Sequence, residues 1–209
     1  MKQKRKRVPE WITTSIQGLT FWVGYKRSLY RDYPLPEGAL VTELRSLLYA
    51  NLPDDLFLKC EVRYSKLVKR SPALVRTFGQ TRADMVIANK IESTEQEGKF
   101  KLHPRFVLEF KRANAATHLI DKDLHRLAAI KVARPDVRTF LLVLSEGDRY
   151  DRFVDANGKS RSEDQRISGS AATFSVRRTV KAAPTFGNRE SAHYGSIIEV
   201  VTPVGRTKH

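Results

Sequence analysis

A single cysteine, Cys60, in a chain of 209 residues excludes an internal disulfide and any zinc site built from thiolates. The five histidines are scattered without metal-motif spacing. His118 and His125 come nearest to each other, and they read as surface or loop residues rather than ligands. No apolar run is long enough to span a bilayer, so no membrane partner is expected. The basic N-terminus is not followed by the apolar segment of a signal peptide, so a cytoplasmic chain is expected. Repeats and low-complexity tracts are missing too, apart from the basic head. Acid is the last shortage. Asp and Glu total 23 against 38 Lys and Arg, a formal net charge of +15. That excess suits a polyanionic partner, and nucleic acid fits better than a membrane surface because no basic helix with a bulky apolar face stands out. The competing account is a basic surface that serves solubility alone.

The length allows a core of its own and fits one domain with appendages. Residues 2–7 are nearly all Lys or Arg, including Lys4 and Arg5. They form either a phosphate-neutralising arm or a solvated tail. Residues 11–33 interleave Trp11, Phe21, Trp22, Tyr25, Tyr30 and Tyr33 with Lys26, Arg27 and Arg31. Aromatics among cations can stack bases, but docking of an N-terminal arm onto the core is the commoner use. Residues 1–36 are therefore read as a basic, aromatic arm.

Leu40, Val41, Leu44, Leu47 and Leu48 mark a helix over residues 37–51, with Glu43 at the border of its apolar stripe. Residues 56–64 alternate Leu56, Leu58, Cys60, Val62 and Tyr64 with Lys59, Glu61 and Arg63, a half-buried strand with one apolar face. A basic connection follows, carrying Lys69, Arg70 and Arg76, and it is suited to lie along a substrate backbone. Residues 89–105 read as a charged hairpin excursion. Residues 121–132 carry Leu124, Leu127, Ala128 and Val132, a helix that can cross over to a buried strand at 139–145. Residues 146–170 are polar, with Asn157-Gly158 as a turn signal, and 172–180 and 195–203 read as strands that extend or flank the sheet.

The informative stretch is 82–112. Arg-Ala-Asp-Met-Val-Ile-Ala and Phe-Val-Leu-Glu-Phe-Lys-Arg are short apolar runs of buried-strand type interrupted by Asp84, Glu109 and Lys111. Alternation puts Glu109 and Lys111 on one face with Val107, and Asp84 with Val86 and Ala88. Charges there are costly to desolvate without a partner or a metal. Two carboxylates beside an ammonium make a hard-oxygen site for a divalent cation. The bland alternative is a solvated strand face and a strand-start acid.

Asp84 on one strand and Glu109-Phe110-Lys111 on the next resemble the PD-(D/E)XK nuclease superfamily, over approximately residues 37–145. The family's proline before the aspartate is absent, and Arg82-Ala83 stands there instead. Lys122-Asp123-Leu124-His125-Arg126-Leu127 is similar to the Asp-Leu-x-x-Leu helix that follows Glu-x-Lys in many members. The resemblance implies an α/β restriction-endonuclease-like fold, a mixed central sheet flanked by helices in the order αβββαβ, with residues 146–209 as a C-terminal extension. It implies Asp84, Glu109 and the Phe110 carbonyl as ligands of Mg²⁺ or Mn²⁺, Lys111 as the catalytic cation, and Glu43 as a further acidic residue or an ordinary helix glutamate. Lys122 and Arg126 either reach phosphates or form a solvated face. The implied activity is hydrolysis of phosphodiester bonds, in DNA ahead of RNA, by a monomer or a homodimer. A non-cleaving nucleic-acid-binding module on the same fold is the alternative.

Overall fold

The computed structural model describes residues 6–29, 35–68, 71–90, 103–182 and 192–202. The 91–102 excursion, Tyr30, Tyr33 and the cations Lys4, Arg5, Lys69 and Arg70 lie outside them. The described chain is mixed α/β. Strand β4 (Arg138–Ser145), the Thr-Phe-Leu-Leu-Val-Leu-Ser run, is buried from Thr139 onward, as its lack of alternation predicts for a strand covered on both faces. It lies at the centre of a seven-stranded sheet of order β1-β2-β3-β4-β7-β6-β5. The other strands are β1 (Leu56–Arg63), β2 (Arg82–Asn89), β3 (Pro104–Arg112), β5 (Gln165–Arg166), β6 (Thr173–Ala182) and β7 (His193–Val201). Every neighbouring pair is antiparallel except β3 and β4. Those two are joined by helix α5 (Thr117–Ala133), the crossover that a parallel pair requires.

Helices cover both faces. On one, α1 (Glu10–Leu29) and α2 (Glu37–Asn51) pack over Met85, Ile87, Leu108, Phe110, Phe140 and Leu142. On the other, α5 and the short helices α3 (Tyr64–Leu67) and α4 (Pro72–Phe78) cover Val86, Val107, Leu141 and Val143. Alternate residues of β2 and β3 thus serve two cores, as the period of a strand requires.

The aromatic N-terminal segment, read as an arm that docks on the core, is a 20-residue helix. Ile12, Ile16, Leu19 and Val23 recur at helical spacing and are fully buried. Trp11 meets Phe106 edge-on at 5.2 Å, while Phe21 and Tyr25 stay exposed. The helix lies against β6 and β7. It comes so close that a side-chain carbon at Gly195 would collide with Thr20 Oγ1 and Ile16. Its far end is stapled by Glu146, which takes Arg27 at 2.7 Å and Arg112 at 2.6 Å. The polar 146–170 segment also contributes to the interior, with Phe153, Val154 and Ile167 packed in the α5-side core.

Strand β1 departs from its expected single apolar face. Leu56, Leu58 and Cys60 turn to the α1/α2 side, whereas Val62 and Tyr64 turn to the α5 side. The switch occurs at Glu61, whose φ of 53° is the one positive value at a non-glycine among the described residues. The β1–β2 ladder skips it, pairing Cys60 with Met85 and Val62 with Ala83. An L-residue in that conformation costs roughly 1–2 kcal/mol. Glu61→Val is therefore expected to lower unfolding free energy by about 1–2 kcal/mol in denaturant titrations, because a branched Cβ tolerates positive φ poorly, while Glu61→Gly holds or gains stability. Equal loss in both variants would remove the backbone account.

Candidate functional site

The site forms where β2 leaves β3. Their ladder runs through Val86↔Val107 and Met85↔Leu108. At the next step Asp84 Oδ2 accepts the Phe110 N–H at 2.8 Å. A carboxylate thus stands where a strand carbonyl would. A strand residue presents its N–H and C=O to the same edge, so the Phe110 carbonyl faces the same opening. Glu109 lies on the α5 side with Val107, 2% exposed, and its Oε1 accepts a short hydrogen bond from the Tyr64 hydroxyl. The Glu61 switch delivers that hydroxyl, and Phe78 stacks on the Tyr64 ring at 4.8 Å.

Helix α5 adds a third carboxylate. Asp123 is 1% exposed and sits 2.8 Å from Arg126 Nη1 through Oδ1. Its Oδ2 accepts no hydrogen bond, and Lys111 Nζ stands 3.5 Å from it. Lys111 is also 3.5 Å from Glu37 at the start of α2. Four carboxyl groups, Glu37, Asp84, Glu109 and Asp123, thus converge on two cations, Lys111 and Arg126. This is an acid-rich patch in a chain of net charge +15.

The electrostatics follow from that crowding. Burial pushes the Glu109 carboxyl well above its usual range, Asp84 and Asp123 push it further, and the Tyr64 hydrogen bond opposes them. Burial likewise raises Asp123, against the pull of Lys111 and Arg126. Burial alone would lower Lys111, but Asp123, Glu37, Asp84 and Glu109 outweigh it, so the group is held above its usual value and stays an ammonium. Tyr64, buried beside Glu109, stays neutral.

Asp84, Glu109 and Lys111 therefore share one locus. Glu43 is half-buried on α2 and makes no hydrogen bond or ion pair among the described residues; the α2 carboxylate within reach of Lys111 is Glu37. Lys122 points to solvent, and Arg126 turns inward to Asp123. By sequence, Asp123, within the Asp-Leu-x-x-Leu motif, and Tyr64, on the apolar face of a strand, carry no expected role in the site. Asp123 had a signal: it stands at i+3 in the stripe Ile120, Asp123, Leu124, Leu127, where an apolar residue belongs. Tyr64 had none, since the face switch at Glu61 is not written in the alternation. Among the described residues no group of three or more His, Cys, Asp and Glu side chains is set closely enough to hold a metal ion. No protein-family model matches this chain, and no curated protein or solved structure matches it significantly.

The raised Glu109 carboxyl predicts a pH dependence. Its folded pKa lies above the ordinary 4.5, so its protonated form favours the fold. That contribution is complete below the ordinary value and is lost as pH rises through the folded one. In chelator, melting curves from about pH 5 to 8 should show the parent losing stability relative to Glu109→Gln, which cannot ionise. Parallel curves would contradict the placement of Glu109.

Proposed function

We propose that this chain is a metal-dependent nuclease that hydrolyses phosphodiester bonds in nucleic acid, DNA ahead of RNA. In this reading α2, β1, β2, β3, α5 and β4 are a restriction-endonuclease-like core. The observation that carries it is the acid-rich patch at the parting of β2 and β3, with an ammonium held inside it, on an otherwise strongly basic chain. A solvated strand face does not account for a Glu109 that is 2% exposed, nor a solvated helix face for an Asp123 that is 1% exposed.

The donors fit Mg²⁺ or Mn²⁺. They are hard carboxylate oxygens, and such ions take one or two carboxylates together with waters and phosphate oxygens, without needing a cage of three. Burial and the neighbouring Asp84 and Asp123 carboxyls hold Glu109 toward its neutral form, and a divalent cation between Asp84 and Glu109 would favour the charged one. Asp84 and Glu109 would hold the ion, with the Phe110 carbonyl as a further donor. A divalent cation bound there supplies Lewis acidity toward the phosphodiester and makes a bound water more acidic. Lys111 brings a compact positive charge to the developing negative charge on the phosphate. Asp123 and Glu37 hold that ammonium in place and keep it charged. Tyr64 donates a hydrogen bond that favours the ionised form of Glu109, the form a metal needs.

Purified protein is expected to cut DNA with Mg²⁺ or Mn²⁺ and to stop in excess chelator. Lys111→Ala should lose about 10²–10³-fold in rate, as removal of one stabilising donor does, while keeping metal binding by calorimetry. Asp84→Asn should lose both. Cutting undiminished in chelator, or a Lys111→Ala variant as fast as the parent, overturns the assignment. Metal and DNA binding without cutting would replace it with the non-cleaving module.

A further inference from the structure

Outside the carboxylate cluster, a concavity of about 1250 Å³ lies between β1, the end of α3 and the end of α5. Lys59, Arg63, Lys66, Arg82 and Arg134 are the cationic side chains of its wall, against Glu61 and Asp136. Asp136 is already taken, paired with Arg134 at 2.7 Å. Arg63 and Arg82 are directly opposite each other as the last pair of the β1–β2 ladder. Both are exposed, and neither has an ion pair or side-chain hydrogen bond among the described residues. Like charges across a ladder destabilise a sheet, so this pair costs the fold something that no ion pair among the described residues offsets. Its location ties it to the candidate site. Arg82 is two residues before Asp84 on β2, and Arg63 adjoins Tyr64, whose hydroxyl holds Glu109.

From these observations we infer that the groove carrying Arg63 and Arg82 is the track for the phosphodiester backbone of a nucleic-acid strand, leading it to the carboxylates. Phosphates seated between the two guanidiniums would turn their repulsion into charge-assisted hydrogen bonding. The flanking Lys59 and Lys66 extend the cationic path along β1 and α3. Such contacts position a strand without reading its sequence. The inference rests on nucleic acid being the substrate, as proposed above, but not on cleavage.

Binding is therefore measured in chelator, where nothing is cut, using duplex and single-stranded DNA of one length over a series of salt concentrations. Arg63→Gln and Arg82→Gln together should lower the slope of log affinity against log salt by about 2. The parent's loss of affinity between about 50 and 200 mM salt then shrinks about tenfold. The matched pair Arg149→Gln with Arg161→Gln removes the same charge elsewhere on the exposed surface and should leave the slope as it was. Arg63→Lys with Arg82→Lys should restore most of it. Melting temperature in the groove variants should hold or rise, since a repulsion is relieved, and each single substitution is measured in case the double one misfolds. An unchanged slope, or an equal change in the control pair, overturns the inference. So does polyglutamate of matched charge competing as well as DNA, which would point to an acidic polypeptide instead. Loss of binding in the groove variants with cutting by the parent absent would leave the track standing and remove the nuclease reading. Normal binding in those variants with cutting intact would do the reverse.

Discussion

One substitution of partners organises the molecule's centre: the Phe110 N–H, denied a strand carbonyl, is taken by the Asp84 carboxylate. A buried backbone donor must be paired, and here the pairing is made by a side chain that reaches across a gap. The gap exists because β2 stays with β1 as far as Arg63↔Arg82 but pairs with β3 only from Met85 onward. A sheet that opened without such a cap would strand polar groups in the interior. With it, two adjacent strands can diverge and still leave their carboxyl groups within electrostatic reach of each other.

The divergence would be of little use if the acids inside it were free to swing or to escape to water. Glu109 is held by Tyr64 at the start of α3, Asp123 by Arg126 within α5, and the ammonium of Lys111 by Glu37 from the opposite layer. Removing one member of such a buried set leaves the rest uncompensated. The arrangement therefore behaves as a unit rather than as a sum of pairs. Its net acidity contrasts with the cationic pair Arg63 and Arg82, two residues along β2 from Asp84, so opposite charges are sorted between neighbouring parts of the sheet.

The layered α/β architecture was legible because its signals are local and redundant. The unbroken apolar run of β4, the stripe of α2 and the alternation in β6 each state their own environment. Asp84, Glu109 and Lys111 were legible for the opposite reason, as charges in apolar strands that conflict with their surroundings. What escaped reading depended on distant parts of the chain. Helix α1 looked like an aromatic arm because its partner, β7, lies some 170 positions later. Tyr64 looked like one more inward residue of an alternating strand, and only the backbone reversal at Glu61 sends it to the other layer. Asp123 was visible as a wrong residue in a helical stripe, but its meaning needed Lys111 beside it.

The contact between α1 and β7 also sets an order of events during synthesis. Ile12, Ile16 and Leu19 leave the ribosome well ahead of the strand that covers them, with Gly195 against Ile16 and Thr20. Until then the apolar face of α1 has α2 beside it but not the sheet, and closing the β7 contact spans a long stretch of chain, the slow kind of closure. Such a face attracts other chains as readily as its own. The excess of Lys and Arg repels one emerging copy from the next while that face is only partly covered.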